Sequence, residues 1–573
     1  MKGSRFDVVI KGRINWVLLF FSAVLVILLA KIFMMQIVDH REYLSLAAKQ
    51  HRLIKEIFPE RGDIFMQDKK GLLIPLALNK IQKNLVVSPR DIKDSEAITE
   101  LLSNDLGLDK DEVLKKISNT ADAYEVLVKK LDDEVAKKLE LKKIKGLFVE
   151  EEKRRIYPNL NLAAHAVGFV SKESEVEAGR YGLENFYERE LSGKKGIFEG
   201  AKDAGGSWVA LGRKIVNPPK DGASLVLTID YNIQLKTEQI LQDAQEKWKA
   251  AAVSALVMDP TSGKILALAS QPSFDPNEFF KEKDYGIFVD PLVESMYELG
   301  SVIKPITMAA ALNEGIIKPE STYNDEGTVS MAGYDINNAD GKKHGVQTMT
   351  QVLEKSLNTG AVYVSKLLGK DLQWDYFKKF GFGSKTGVDL PGEISGNISN
   401  LNHGREIDFA TASFGQGVAI TPIQLATAMG AIANKGVLMR PYIVQKVIDN
   451  SGNETTYQPK ISGEVISPET AETLTKMLVS VVKNGYDNRA GVKGYFVAGK
   501  TGTAQIPKKG QRGYSDDVVH AFVGYAPAFK PRFLVFLQLI KPQARFAATT
   551  LPEHFKELAN FILNYYEVPP DEK

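Results

Sequence analysis

The segment Tyr297-Glu298-Leu299-Gly300-Ser301-Val302-Ile303-Lys304-Pro305-Ile306-Thr307 decides how the chain is read. Gly300 before the serine and the apolar run from Ile306 to Leu312 after it predict a helix that begins near Ser301. Residues three apart on a helix are neighbours, so the Ser301 hydroxyl and the Lys304 amine share one face. A serine becomes a nucleophile when a base takes its proton, and a lysine is such a base once burial or a second cation lowers its pKa. Pro305 is compatible with a first helical turn, where a missing N–H removes little from the ladder. Alone, the tetrapeptide fits an exposed helix start with a solvated lysine equally well.

Two further segments separate those readings. Ser356-Leu357-Asn358 follows Ser301 by 55 residues at the end of a helical pattern, Met349 to Leu357. A hydroxyl and a carboxamide two positions apart suit a tight turn that aims one at a proton and the other at an amide; the same triplet also suits an ordinary helix end. Lys500-Thr501-Gly502-Thr503 follows Tyr495-Phe496-Val497-Ala498, a strand by its aromatic and β-branched content. A strand with a cation, two hydroxyls and a glycine that admits close backbone approach can bind a carboxylate and offer an N–H to an oxyanion. The ordered set S-x-x-K, S-x-N, K-T-G makes coincidence a poor explanation, and the set with Asp at the middle position occurs in penicillin-binding proteins and class A β-lactamases.

A length of 573 residues implies two or three domains, and 44% hydrophobic residues supply ample core. The 73 basic and 71 acidic residues nearly cancel, so nothing global points to nucleic acid. The absence of cysteine excludes disulfides and thiol chemistry. The seven histidines are scattered without zinc-ligand spacing, so no metal site is expected.

Ile14 to Ala30 is apolar except for Asn15 and Ser22, and Ile32 to Val38 extends it past Lys31. Seventeen helical residues span roughly 25 Å, near the hydrocarbon thickness, and the extension completes a crossing. Lys2, Arg5, Lys11 and Arg13 precede it against a single Asp7, which predicts a cytoplasmic N-terminus and an exported remainder. The run exceeds a signal-peptide core and lacks a small-x-small site directly after it, so an uncleaved anchor is expected.

Residues 39 to about 220 read as a charged, non-catalytic domain. Short strands are expected at Glu60–Phe65 and Gly71–Leu76, and amphipathic helices at Glu96–Leu106 and Asp132–Lys142. Arg155-Ile156-Tyr157-Pro158 and Tyr181-Gly182-Leu183-Glu184 read as buried ion pairs and turns. The Gly/Pro/Lys-rich passage Gly200 to Gly222 marks a boundary. Beyond it, Leu225–Asp230 is a strand whose Asp230 can cap the helix carrying Gln234 and Glu238, and Val253–Met258 and Ile265–Ser270 form a hairpin.

With these parts in order, the chain resembles the class B penicillin-binding proteins, monofunctional D,D-transpeptidases of peptidoglycan synthesis. Passages similar to that family include Arg61-Gly62, Ala269-Ser270-Gln271-Pro272-Ser273-Phe274-Asp275-Pro276-Asn277, Asp389-Leu390-Pro391-Gly392-Glu393, Ser413-Phe414-Gly415-Gln416-Gly417, Thr421-Pro422-Ile423-Gln424-Leu425-Ala426 and Phe522-Val523-Gly524-Tyr525-Ala526-Pro527. The resemblance implies a cytoplasmic tail (1–13), a transmembrane anchor (14–38), an elongated pedestal similar to a dimerisation domain (39–220) and a transpeptidase domain (221–573). The fold implied is α/β (α+β), with an antiparallel sheet flanked by helices. The implied substrate is a stem peptide ending in D-Ala-D-Ala. Ser301 would attack the penultimate carbonyl, Lys304 would activate it, Ser356 would relay a proton to the leaving D-alanine, and Asn358 would orient Lys304 and the substrate amide. Lys500, Thr501 and Thr503 would receive the terminal carboxylate, with Gly502 making room, and the N–H groups of Ser301 and Thr503 would form the oxyanion hole. No cofactor is implied. β-Lactams would acylate Ser301, and a polytopic SEDS-type glycosyltransferase and divisome proteins are the implied partners at the cytoplasmic membrane. A septal role in cell division is expected, with elongation and cell shape as the alternative within the same class.

Four other readings compete with this one. Gly494 to Thr501 matches the nucleotide-binding pattern G-x-x-x-x-G-K-[ST], but a P-loop opens a helix and Gly502 to Gly510 is not helical in pattern. Lys385-Thr386-Gly387 repeats K-T-G in what reads as a loop. Glu393-Ile394-Ser395-Gly396-Asn397, 35 residues after Asn358, has the E-x-x-x-N spacing of a deacylating loop, which would make a β-lactam hydrolase. A non-enzymatic membrane sensor would need a cytoplasmic signalling part, for which thirteen residues before the anchor leave no room.

Overall fold

The computed structural model describes residues 4–39, 52–173, 176–201, 214–508, 510–511 and 513–572. Of the expected boundary passage Gly200 to Gly222, residues 202–213 lie outside that set, as does Lys2 in the basic N-terminus. The chain divides into two compact units, one of Met1–Glu60 with Gly193–Asp221, the other of Arg61–Ser192 with Gly222–Lys573.

In the first unit a helix runs over Ser4–Phe33 and ends in one π-type turn, Met34–Val38. Its apolar part, Trp16–Val38, is 23 residues long, about 34 Å at helical rise, so it is long and apolar enough to cross a bilayer. The same unit holds an antiparallel three-stranded sheet in the order Arg52–Ile57, Gly196–Ala201, Lys214–Asn217.

The second unit contains two sheets that matter for the site. A seven-stranded sheet follows the path Glu454–Thr456, Val444–Ile448, Ser224–Asp230, Ile64–Gln67, Leu73–Val87, Glu125–Leu131, with Leu147–Ile156 also paired to Leu73–Val87. The expected short strand at Gly71–Leu76 is therefore the start of a 15-residue strand. Its polar middle, Asn79-Lys80, pairs with Arg155 and Arg154 of Leu147–Ile156, which carries the strand past the expected end, and Glu125–Leu131 joins only from Lys83 onward. Its far end carries a small separate core in which Leu85 and Val87 meet Leu102, Val113, Ile117 and Leu139 from three short helices. The strand expected at Glu60–Phe65 instead occupies Ile64–Gln67 and pairs parallel with Ser224–Asp230, Leu225 opposite Ile64.

The expected ion pairs lie beside this sheet. Glu184, fully buried, accepts from Arg61 Nε at 2.6 Å and Arg155 Nε at 2.7 Å, and the Tyr157 hydroxyl donates to it at 3.2 Å. Burial alone would push this carboxyl up, but the two guanidinium groups hold it below its ordinary value.

The second sheet has five antiparallel strands in the order Ile265–Gln271, Ala252–Met258, Phe533–Ile540, Tyr514–Ala526, Ala498–Pro507. The first seven residues of Phe533–Ile540 are all buried, so both faces of the sheet are covered. Helices Tyr231–Trp248 and Ala547–Tyr565 pack on it and on each other, and Pro422–Ala433 and Pro468–Ser480 supply further cover. Asp230 caps the first of these helices as expected, accepting from the N–H groups of Asn232 and Ile233. Gln234 on that helix is fully buried. Its amide oxygen accepts from Leu268 N at 2.8 Å and its Nε2 donates to Leu268 O at 2.9 Å, closing one edge of the sheet as a neighbouring strand would. The other edge, Ala498–Pro507, is left for the site.

Candidate active site

Ser301 sits in a single 3-10 turn, Gly300–Ile303, and the α-helix proper begins at Lys304 and runs to Asn313. Lys304 through Ala311 are all buried, so the helix is apolar all round because it crosses the interior. The expected helix start is thus displaced by one turn, and the serine projects at the mouth while the lysine is enclosed. Gly300 adopts φ +63°, and a β-carbon there would come within 2.6 Å of Thr503 O.

The helix expected over Met349–Leu357 ends at Glu354. Ser356 is left-handed at φ +57° and Leu357 is extended, so the triplet forms a sharp corner before helix Asn358–Leu368. The corner turns the Ser356 carbonyl and the Asn358 side chain toward the same point. That point is the Lys304 amine.

The strand expected at Tyr495–Ala498 begins only at Ala498 and carries Lys500 through Thr503 itself. Before it, Gly494 turns at φ +86° and Phe496 N is tied to Asp571 Oδ1, so these residues have no strand partner. Gly502 lies against the nucleophile turn: a β-carbon on it would sit 2.3 Å from Leu299 O and 3.1 Å from Val302 N. The strand continues through Pro507, so no helix opens after Lys500 and the P-loop reading falls.

These elements bring together side chains far apart in the chain. Lys304 Nζ lies 3.0 Å from Ser301 Oγ, 2.5 Å from Ser356 O, 2.9 Å from Asn358 Oδ1 and 3.3 Å from Ser356 Oγ. Lys500 Nζ lies 3.0 Å from the same Ser356 Oγ and 3.1 Å from Thr501 O. Ser356 Oγ thus bridges two lysines. Lys304 is fully buried and Lys500 nearly so. Burial, then the neighbouring Lys500, pushes the Lys304 amine well below its usual value. Burial lowers Lys500 to about 7.

Four oxygens surround the Lys304 amine, and burial favours its neutral form. In that form its two N–H bonds can go to the closest carbonyl acceptors, Ser356 O and Asn358 Oδ1, leaving the lone pair to accept from the hydroxyl of Ser301. Such an arrangement can withdraw a proton from Ser301 as its oxygen attacks a carbonyl.

A cleft of about 280 Å³ opens over these groups and is lined by Ser301, Ser356, Asn358, Thr501 and Thr503. Lys304 and Lys500 stand behind it, and Gly502 spaces the strand from the nucleophile turn. Thr503 Oγ1 accepts from Ala547 N at 2.9 Å, which leaves its own proton for a ligand. Sequence reasoning passed over Tyr486, another lining residue, whose buried hydroxyl donates to Gly499 O at 3.0 Å and steadies the strand before Lys500; no motif surrounds it. Phe414 and Gln416 also line the cleft, from a passage noted only for its family likeness.

The two decoy segments meet each other. Glu393 accepts from Thr386 N at 2.5 Å, Thr386 Oγ1 at 2.6 Å and Gly387 N at 3.0 Å. Its carboxylate thus holds the second K-T-G loop, and Glu393 is not among the residues that line the cleft over Ser301.

The chain matches the family model "Penicillin binding protein transpeptidase domain" over residues 253–559 and "Penicillin-binding Protein dimerisation domain" over 56–227. It is 34% identical to Stage V sporulation protein D of Bacillus subtilis over 94% of this chain and 83% of that protein. It is 28% identical to Peptidoglycan D,D-transpeptidase FtsI of Escherichia coli over 90% of this chain and 86% of that one. The crystal structure of penicillin-binding protein 3 from Mycobacterium tuberculosis complexed with aztreonam superposes with a TM-score of 0.70 at 26% identity, covering 90% of this chain and 98% of the other. The transpeptidase-domain match over more than half of the chain and the 34% identity to Stage V sporulation protein D, with a serine, two buried lysines and a K-T-G strand gathered at one cleft, establish that the chain belongs to the penicillin-binding protein transpeptidase family.

Proposed function

We propose that the protein is a membrane-anchored, serine-type D,D-transpeptidase that cross-links peptidoglycan stem peptides ending in D-Ala-D-Ala and is acylated by β-lactams. The observation that carries this reading is the buried Lys304 amine, 3.0 Å from Ser301 Oγ and within hydrogen-bond reach of the Ser356 carbonyl and Asn358 Oδ1. Ser301 Oγ attacks the penultimate carbonyl as its proton passes to Lys304. The Ser301 oxygen–carbon bond forms, the peptide C–N bond breaks, and a proton relayed through Ser356 Oγ leaves on the D-alanine amine. An amine of a neighbouring strand then attacks the acyl-enzyme and restores the serine. Asn358 holds Lys304 and the substrate amide. Lys500, Thr501 and Thr503 receive the terminal carboxylate, and the N–H groups of Ser301 and Thr503 form the oxyanion hole, worth about 3 to 4 kcal/mol per donor in comparable sites.

The proposed domain limits are 1–13, 14–38, 39–220 and 221–573, with the N-terminus cytoplasmic and the catalytic domain outside. Basic residues before the anchor support this orientation. Family likeness supports a SEDS-type glycosyltransferase and divisome proteins as partners and a septal role, and the relative named peptidoglycan D,D-transpeptidase supports the reaction. Depletion that leaves filaments agrees with a septal role; rounded cells, or cells of normal shape, overturn it.

The chemistry is tested by labelling the full-length protein in detergent with a fluorescent penicillin. A stable adduct in wild type, lost in Ser301→Ala and in Lys304→Ala, is expected, with the double variant little worse than either because the pair acts as a unit. Near-normal acylation of Lys304→Ala removes the base from this scheme. Failure of wild type to cross-link stem peptides despite labelling makes the domain a sensor.

A further inference from the structure

Asn358 faces two ways, and its direction matters more than its presence. Its Nδ2 donates to Asn337 O at 2.8 Å and its Oδ1 lies 2.9 Å from Lys304 Nζ. With the amide oxygen toward the amine, Lys304 donates and keeps its lone pair for Ser301. With the amide rotated by half a turn, its NH2 would donate into that lone pair and Ser301 would lose its base. A carboxamide has no strong preference of its own, so a neighbour sets the direction. That neighbour is the Asn337 carbonyl, which only accepts.

The carbonyl is itself held from several sides. The N–H of the same peptide unit, on Asn338, donates to Gly327 O at 3.1 Å. The Asn338 side chain is buried, and its Nδ2 donates to the Asp325 carboxylate at 2.9 and 3.1 Å and to Lys342 O at 3.2 Å. Its Oδ1 accepts from Thr359 N at 3.3 Å. Asp325, fully buried, also accepts from Thr359 Oγ1 at 2.6 Å, His344 N at 3.0 Å and Gly327 N at 3.1 Å. Among the described residues no cation pairs with Asp325. A buried carboxylate without one is costly unless donors surround it. Burial alone would raise its pKa, but these donors hold it below the ordinary value, ionised. Thr359 directly follows Asn358, so one network grips both the start of the Asn358 helix and the peptide unit facing it.

Resting on the serine–lysine reading above, we propose that Asp325, Asn338 and Thr359 are positioning residues: they fix the Asn337 carbonyl, which sets the Asn358 amide and so keeps the Lys304 lone pair aimed at Ser301. Their role is in the acylation step and not in binding the leaving group or the β-lactam.

The test is a double-mutant cycle on the full-length protein, following the rate constant of acylation and the non-covalent Kd of a fluorescent penicillin. Asn338→Ala is expected to slow acylation by roughly tenfold or more with Kd unchanged. In the Asn358→Ala background the same substitution is expected to change the rate by less than about twofold, because the residue through which it acts is gone. An equal effect in both backgrounds, or a loss in Kd alone, overturns the proposal. Thr359→Val, which keeps the side-chain shape and removes only the hydroxyl, is read by the same cycle and decides the matter if Asn338→Ala does not fold. Wild type beside Ser301→Ala separates the two levels of argument. If both label alike, the serine–lysine reading has failed; if only wild type labels and the cycle is additive, this inference alone has failed.

Discussion

Replacing Lys500 with methionine tests the electrostatics of the site through stability. The side chains are similar in length, and the site at Lys500 is 1% exposed. Burial lowers the lysine from its usual 10.5 to about 7. Between those values the unfolded chain holds one proton more than the folded one, so unfolding free energy rises with pH by about 1.4 kcal/mol per pH unit. Below about pH 7 the whole penalty is present, roughly 5 kcal/mol as an upper bound, and it fades as pH approaches 10.5. Methionine removes it but leaves Ser356 Oγ and Thr501 O without the partner they have at 3.0 and 3.1 Å, at about 1 kcal/mol each. Lys500→Met is therefore expected to be more stable than wild type at pH 7 by about 2 to 3 kcal/mol, a rise in Tm of a few degrees for a unit of this size. Thermal unfolding of both proteins from pH 6 to 10 is the assay, and the gain should shrink steadily above pH 7 and reverse at about pH 9, where the remaining penalty equals the roughly 2 kcal/mol lost with the two partners. A gain independent of pH, or none at pH 7, would refute the claim that burial keeps this amine near neutrality. The variant should at the same time lose acylation, so the site would be shown to hold its lysines at the expense of stability.

Three other changes follow from the packing. Gly502→Ala should disable acylation and cost more than about 2 kcal/mol, since its β-carbon would meet Leu299 O at 2.3 Å and force the edge strand off the nucleophile turn; penicillin labelling with a melt checks both. Glu184→Ala should cost about 3 to 5 kcal/mol by leaving Arg61 and Arg155 buried without their shared carboxylate, and a melt with no change in acylation per folded molecule is the expected result. Glu393→Gln should leave the lifetime of the penicillin adduct unchanged while lowering Tm, because the carboxylate serves Thr386 and Gly387; a markedly longer-lived adduct would restore the hydrolytic reading.

Much of the site was legible in residue type and spacing. The S-x-x-K, S-x-N and K-T-G segments name the side chains that meet, and the interval from Ser301 to Lys304 puts nucleophile and base together through helix geometry alone. The Asp230 cap, the hairpin of Val253–Met258 and Ile265–Ser270 and the apolar run from Ile14 to Val38 were equally local, and the structure contains the cap, the hairpin and an apolar helical stretch over Trp16–Val38. Where local reading went astray, a distant partner was responsible. The 15-residue strand from Leu73 is sustained by Leu147–Ile156, and the strand at Lys500 starts late because Gly494 turns and the C-terminal segment takes the Phe496 N–H.

Sequence alone supplies the inventory: an apolar helix of membrane length, a serine with a lysine three positions on, a K-T-G segment and the family likeness. How those groups behave depends on contacts that form only in the folded chain. Ser356 Oγ lies between lysines that are 52 and 144 residues away from it, and the depressed pKa values arise from burial, which no single segment possesses. The same holds for the Asn337 carbonyl, 21 residues from the amide it orients. Helix geometry and apolar pattern are short-range and can be read along the chain, whereas desolvation and hydrogen-bond direction exist only once remote segments have closed around an atom.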